Sequence, residues 1–143
     1  AALLAGAPPR EVEALAAYGT HLGMAFQMAD DLIDYLSDTR ELGKRAGADL
    51  REGKLTLPVI AALRAAPAAD RDRMAAIIGN PDFAPRDFEE LLNLLHTHGG
   101  IRYAREQAGA HIRQAKAALE VFNPSPTRDL LRDVADYTLS RRA

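Results

Sequence analysis

The sequence predicts an all-α fold, a helical array without strands. Ala and Leu together supply 47 of the 143 residues, whereas Val and Ile supply only 10. Ala and Leu favour helix, and the β-branched residues that suit strands are scarce. Apolar residues also recur at helical spacing between prolines and glycines, which mark where elements begin and end. The length is that of one domain and is sufficient to bury an apolar core.

The first helix is expected from Arg10 to about Asp38, after two prolines that suit the start of a helix. A glycine-spaced segment follows, with Gly43, Gly47 and Gly53, and we interpret it as a loop. The hydroxyl of Ser125 is expected to cap the last helix. The remaining helices are expected from Pro58 to before Pro67, from Asp70 to Ile78, from Pro85 to Gly99-Gly100, from Ile101 to about Phe122, and from Pro126 to about Ser140.

Composition and charge exclude several classes of function. The formal net charge is -2 at pH 7, so the chain lacks the strongly basic character typical of nucleic-acid binding. The sequence contains no cysteine, which excludes disulfides, thiol catalysis and zinc–thiolate sites. No run of residues is long and apolar enough to predict a transmembrane helix.

The most informative segment is the acidic second half of the first predicted helix. In an α-helix, Asp34 lies about 40° and Asp31 about 100° around the axis from Asp30. Gln27 and Gly23 fall within the same arc, at about 60° and about 20°. Three neighbouring aspartates repel one another and favour helix weakly. Carboxylate oxygens suit Mg²⁺, and a glycine on the same face leaves a ligand room beside the helix.

A basic, glycine-rich segment follows the aspartates. It carries Lys44 and Lys54 among its glycines, and Lys54 and Thr56 stand just before a predicted helix N-terminus. The exposed N–H groups and the dipole of a helix N-terminus favour an anion. Asp49 can equally bond the backbone of the loop. Carboxylates for a metal followed by lysines for phosphate predict a site for a diphosphate and Mg²⁺.

Together these residues resemble the C-terminal half of the trans-isoprenyl diphosphate synthase (polyprenyl synthetase) family. The first block below has the pattern of the family's second aspartate-rich motif and is highly specific, and a weaker resemblance continues almost to the end of the chain. The matching residues are Gly23-x-x-Phe26-Gln27-x-x-Asp30-Asp31-x-x-Asp34, Leu42-Gly43-Lys44, Gly47-x-Asp49, Gly53-Lys54-x-Thr56-x-Pro58, Ala115-x-x-Ala118-Leu119, Ser125-x-x-Arg128-x-x-Leu131, and Tyr137 to Arg141.

The resemblance implies a prenyltransferase of the isoprenoid synthase fold, in which antiparallel helices surround a central cavity. It further implies a cytoplasmic homodimer and a Mg²⁺-dependent condensation of an allylic diphosphate with isopentenyl diphosphate to give a polyprenyl diphosphate. Metal ions and lysines can stabilise the negative charge that develops on a departing diphosphate. The implied roles are Mg²⁺ binding for Asp30, Asp31 and Asp34, diphosphate binding for Lys44 and Lys54, and lining of the reaction site for Phe26 and Gln27.

One part of the family pattern is missing from these 143 residues. The family also needs an earlier aspartate-rich motif followed by arginines, but Asp30-Asp31 is the only adjacent aspartate pair in the sequence. Half of the expected metal clamp is therefore absent. The chain also opens on Ala1, without a methionine and within an apolar stretch. We therefore expect residues 1–143 to be the C-terminal portion of a larger polyprenyl synthetase domain, and to be inactive alone.

Two other functions stay open. A class I terpene cyclase also ionises a diphosphate with Mg²⁺, although only 6% of the residues are aromatic and none is Trp. Cyclases tend to shield cations with aromatic rings, so this composition favours them less. The other alternative is a non-catalytic helical partner subunit or dimerisation domain, in which a repulsive cluster of aspartates would have no use.

The four histidines do not predict a metal site. His96 and His98 are two residues apart, so a helix points them to different faces. A helix C-terminus also favours histidine because of the helix dipole. His21 and His111 are expected to be packing or surface residues.

Overall fold

The computed structural model describes residues 2–36, 50, 54–80 and 82–140. Within these ranges the chain forms α-helices and one short 3₁₀-helix but no β-strand, so the all-α prediction is confirmed. None of the helices in this part of the chain has the length and apolar character needed to cross a membrane. The helices are α1 (Pro9–Leu36), α2 (Leu57–Ala65), α3 (Ala68–Ile78), α4 (Pro85–Thr97), α5 (Gly100–Ala118) and α6 (Pro126–Ser140), with the 3₁₀-helix at Leu119–Val121.

The helices begin and end close to the prolines, glycines and capping residues of the sequence. Between α4 and α5, Gly99 has a φ of 71°, a left-handed conformation that favours glycine. At the start of α6, the hydroxyl of Ser125 accepts a hydrogen bond of 3.2 Å from the N–H of Arg128, which confirms the predicted cap. The expected fifth helix differs, because α5 tightens into a 3₁₀ turn and does not continue as α-helix to Phe122. The expected loop with its three glycines lies outside the described residues.

The described residues form two compact units. The first unit contains the residues up to Ala29 together with those from Gln107 onward. The second unit contains the described residues between Asp30 and Glu106. Each unit has its own apolar core.

The core of the second unit includes a close approach of two helices. A methyl group at Gly100 would overlap the carbonyl oxygen of Pro58 and would lie 3.0 Å from the Cβ of Ala62. The start of α5 therefore lies against α2 only because residue 100 has no side chain. The buried residues of this core are Leu32, Tyr35, Leu50, Val59, Ala62, Ala66, Met74, Ile77, Leu91, Leu95, Ile101 and Ala104.

The core of the first unit is smaller and includes a tyrosine with a defined partner. The hydroxyl of Tyr18 donates a hydrogen bond of 2.8 Å to the backbone carbonyl of Leu131 in α6. Burial raises the pKa of Tyr18 above its ordinary value, because the charged phenolate is poorly solvated there. The buried residues of this core are Tyr18, Ala25, Ile112, Ala115, Leu119 and Ala135.

Candidate functional site

The three aspartates singled out by the sequence lie in the last two turns of α1, and they differ in exposure. Asp30 is exposed, Asp34 is half-buried, and Asp31 is buried, with only 8% of its surface exposed. The angles around the helix explain this difference, because Asp31 lies about 60° further around the axis than Asp34. The carboxylates therefore share one side of the helix but meet different surroundings.

Asp31 forms an ion pair with Lys54. The Nζ atom of Lys54 donates a hydrogen bond of 3.1 Å to Oδ1 of Asp31. The Asp31 side chain is 10% exposed, whereas the Lys54 side chain is 48% exposed. A half-exposed lysine keeps much of its hydration, so we assign this pair at most about 1 kcal/mol of stability. Its position matters more, since it brings the predicted lysine and one predicted aspartate within hydrogen-bond distance.

A second contact joins the same two segments. The hydroxyls of Tyr35 and Thr56 lie 2.7 Å apart in a buried hydrogen bond. Thr56 occupies the N-cap position of α2, yet its side chain makes no capping hydrogen bond. Sequence reasoning noted Thr56 in a motif but missed Tyr35. The available signal was the spacing, because Tyr35 follows Asp31 by four residues and so shares its side of the helix.

The end of α1 therefore presents two adjoining surfaces. Asp31 and Tyr35 meet the segment of Lys54 and Thr56, which we call the joint. With Asp30 taken as 0°, Asp34 lies at about 40° around the helix axis, whereas Asp31 lies at about 100°. Asp30 and Asp34 therefore form the second surface. Of the three aspartates for which the resemblance implies metal binding, Asp31 is therefore also the partner of a lysine.

Phe26 and Gln27 lie one turn before the aspartates on α1. Both side chains are exposed, and Phe26 keeps 46% of its surface accessible, so it is not a core residue. Apart from the adjacent backbone of α1 itself, no atom of the described residues lies within 4 Å of the position that a Cβ on Gly23 would take. Internal packing therefore does not require glycine there. Lys44 and Asp49 lie outside the described residues.

The donor atoms present fit Mg²⁺. Asp30 and Asp34 are one turn apart on α1 and offer carboxylate oxygens. Among the described ranges, no three His, Asp or Glu side chains come together closely enough to hold an ion by themselves. Mg²⁺ does not need such a cage, because it usually keeps several waters and takes one or two carboxylates together with substrate phosphates.

Comparison with known proteins identifies the family. The family model described as polyprenyl synthetase matches residues 1–95. The short chain isoprenyl diphosphate synthase of Methanothermobacter thermautotrophicus is 40% identical over 140 residues, which cover 98% of this chain and 42% of that protein. The octaprenyl diphosphate synthase of Escherichia coli is 37% identical over 141 residues, which cover 97% of this chain and 43% of that protein.

A solved structure agrees with the sequence comparisons. The polyprenyl synthase of Caulobacter crescentus CB15, in complex with calcium and isoprenyl diphosphate, superposes with a TM-score of 0.88 at 38% identity. The match covers 99% of this chain and 43% of that one. The chain thus spans less than half the length of these relatives, but over that span it has their all-α fold. By sequence and by structure, the chain belongs to the polyprenyl synthetase family.

Proposed function

We propose that this chain supplies the C-terminal half of a trans-polyprenyl diphosphate synthase. The whole enzyme would join an allylic diphosphate to isopentenyl diphosphate, head to tail, and release inorganic diphosphate. The observation that carries the proposal is the ion pair between Lys54 and Asp31, beside Asp30 and Asp34. An acidic surface for a metal and a cation for phosphate thus stand side by side.

The acidic and the basic side chains of the site would have different roles. Asp30, Asp31 and Asp34 would hold Mg²⁺, which supplies positive charge for the leaving diphosphate. Lys54 is half-exposed and already within 3.1 Å of Asp31, so a small rotation would let its ammonium group meet a diphosphate oxygen instead. As the allylic C–O bond breaks, negative charge grows on the diphosphate, and a preplaced cation stabilises that charge.

Other members of the proposed site contribute contacts and space. Lys44 would add a second cation for the diphosphate, and Phe26 and Gln27 would line the reaction site. The exposure of Phe26 and Gln27 supports this role, because both side chains are accessible to a ligand. Because the earlier aspartate-rich motif is missing from these residues, half of the expected metal ligands are absent. We therefore expect no turnover by the 143 residues alone.

The assembly and location of the whole enzyme are also proposals. We propose a cytoplasmic homodimer, since the family resemblance implies both properties. The relatives named above are diphosphate synthases, and they do not favour the terpene cyclase or the non-catalytic partner subunit. Light scattering on the full-length protein would test the homodimer.

The test of the proposed reaction is the incorporation of radiolabelled isopentenyl diphosphate by the full-length protein that carries these residues. We expect the rate to depend on Mg²⁺ and to fall on the order of 100-fold in Asp30→Asn, because a carboxylate that meets the metal is lost. Asp72→Asn is the matched control, since Asp72 is exposed on α3. An undiminished rate in Asp30→Asn would contradict the proposed role of that residue.

A second comparison tests the expected inactivity of the chain alone. The 143-residue chain and the full-length protein would be assayed side by side at equal molar concentration. We expect product only from the full-length protein. Equal rates would show that the second aspartate-rich motif suffices, and the idea of a divided clamp would be wrong.

A further inference from the structure

Two histidines that are distant in sequence meet inside the first unit. The Nδ1 atoms of His21 on α1 and His111 on α5 are 2.9 Å apart. Their ring centroids are 5.2 Å apart, with an angle of 41° between the ring planes. Both residues are half-buried.

This contact has an unusual chemical requirement. Two neutral imidazoles can share a hydrogen bond through Nδ1 only when one ring donates a proton and the other offers a lone pair. The Nδ1 atom of the accepting ring therefore already directs a lone pair toward the other ring. The donating ring offers a second lone pair if its proton moves to Nε2, a change of tautomer that leaves the number of bound protons unchanged.

A metal ion would occupy the gap between the rings with little rearrangement. Zinc binds imidazole nitrogen at about 2.0–2.1 Å, so two nitrogens on one tetrahedral ion stand about 3.3 Å apart. The observed Nδ1 separation of 2.9 Å is only slightly shorter. Each ring would tilt so that the two lone pairs converge on a common point, and the helices could keep their places.

We propose that His21 and His111 form a two-histidine site for a divalent transition metal, with Zn²⁺ as the representative ion. Imidazole suits Zn²⁺, Ni²⁺ and Cu²⁺, whereas Mg²⁺ prefers oxygen ligands. Water completes the coordination, because no third His, Asp or Glu joins the pair among the described residues. The bound ion links α1 to α5 within the first unit.

This site is separate in chemistry from the proposed carboxylate site on the same helix. The carboxylates of Asp30 and Asp34 are expected to bind Mg²⁺, whereas the histidine pair is not expected to bind it. Zinc affinity at the pair should also fall as the pH is lowered, since protons compete for the same lone pairs.

The experiment is thermal unfolding of the full-length protein that carries these residues, with ZnCl₂, with MgCl₂, or with EDTA in place of metal. An ion that binds only the folded protein raises Tm, and at one hundred times Kd we expect a rise of about 5 °C. We expect His21→Gln and His111→Gln each to remove most of this rise. His98→Gln is the matched control, because His98 instead contacts Asp70 at 2.7 Å, and it should keep the rise.

The proposal is overturned if Zn²⁺ leaves the Tm of the parent protein unchanged, or if both single variants keep the full rise. A second measurement covers the case in which a variant fails to fold. In the parent protein, ring ¹⁵N spectra should show the Nδ1 signals of His21 and His111 shifting together with Zn²⁺, while those of His98 stay in place. Unchanged signals from both residues would show that the pair binds a proton only.

Discussion

The buried hydrogen bond between Tyr35 and Thr56 gives the sharpest test of how the joint is held. Both residues are nearly inaccessible, at 1% and 4% exposure, and their hydroxyls are 2.7 Å apart. Tyr35→Phe removes one partner and leaves the Thr56 hydroxyl buried without it. Leaving a buried polar group unsatisfied costs about 1–3 kcal/mol, so we expect Tyr35→Phe to lower the free energy of unfolding by that amount.

The matched variant removes both partners. Thr56→Val keeps the shape of the side chain, and no capping bond is lost because the Thr56 side chain makes none. Replacing both hydroxyls by apolar groups of similar shape is far less costly than removing one. The double variant should therefore be more stable than the sum of the single effects by about 1 kcal/mol, a coupling typical of residues in contact.

Urea unfolding, followed by circular dichroism, measures this double-mutant cycle. The four proteins are the parent, the two single variants and the double variant. Strict additivity of the two single effects would refute the reasoning, because it would mean that the hydroxyls do not interact in the folded chain. The same substitutions also report on the site, since the joint positions Lys54 against Asp31. We expect the single variants, made in the full-length protein, to weaken diphosphate binding more than the double variant does.

Three further predictions concern other contacts. Gly100→Ala should destabilise the chain by about 1–3 kcal/mol in urea, because the added methyl group meets the Pro58 carbonyl oxygen. Tyr18→Phe should lower stability by about 1 kcal/mol at pH 7, and it should also reduce the loss of stability above pH 10. Burial raises the Tyr18 pKa, so its contribution is complete below the unfolded pKa, near 10.0, and is lost as the pH rises through the folded value. Lys54→Gln should change stability by no more than about 1 kcal/mol and weaken binding of inorganic pyrophosphate in the presence of Mg²⁺.

Controls of the same residue type distinguish these effects from general ones. Gly19→Ala lies within α1, where no described atom beyond the adjacent helix backbone comes within 4 Å of the added methyl group, and it should stabilise the chain by about 0.5–1 kcal/mol. Tyr103→Phe removes the hydroxyl of an exposed tyrosine and is the matched control for Tyr18→Phe. A loss of stability in both Gly100→Ala and Gly19→Ala would contradict the close contact of residue 100 with Pro58. The same dependence of stability on alkaline pH in both tyrosine variants would contradict the burial assigned to Tyr18.

The sequence predicted the features that depend on local spacing. The helical period placed Asp30, Asp31 and Asp34 on one side of a single helix, and α1 confirms that they share it. Prolines and glycines marked most helix ends to within one or two residues. The capping role of Ser125 followed from its chemistry and its place before Pro126.

The features that escaped prediction depend on contacts between distant residues. Helical angles could not show that Asp31 meets Lys54, 23 positions away. The pairing of His21 with His111 spans 90 positions, and each residue alone has the pattern of an ordinary surface or packing histidine. Only the packing of one helix against another brings such groups together.

The joint also has a consequence for insertions and deletions. Thr56 has extended backbone angles, with φ -89° and ψ 170°, and two residues of extended chain advance about 6.6 Å. Four residues of α-helix, from Asp31 to Tyr35, advance about 6.0 Å. An extended segment of this length is therefore compatible with both contacts of the joint, Lys54 with Asp31 and Thr56 with Tyr35, in a single register. Point substitutions between Lys54 and Thr56 preserve this register, whereas adding or removing one residue there would misalign the lysine with its aspartate.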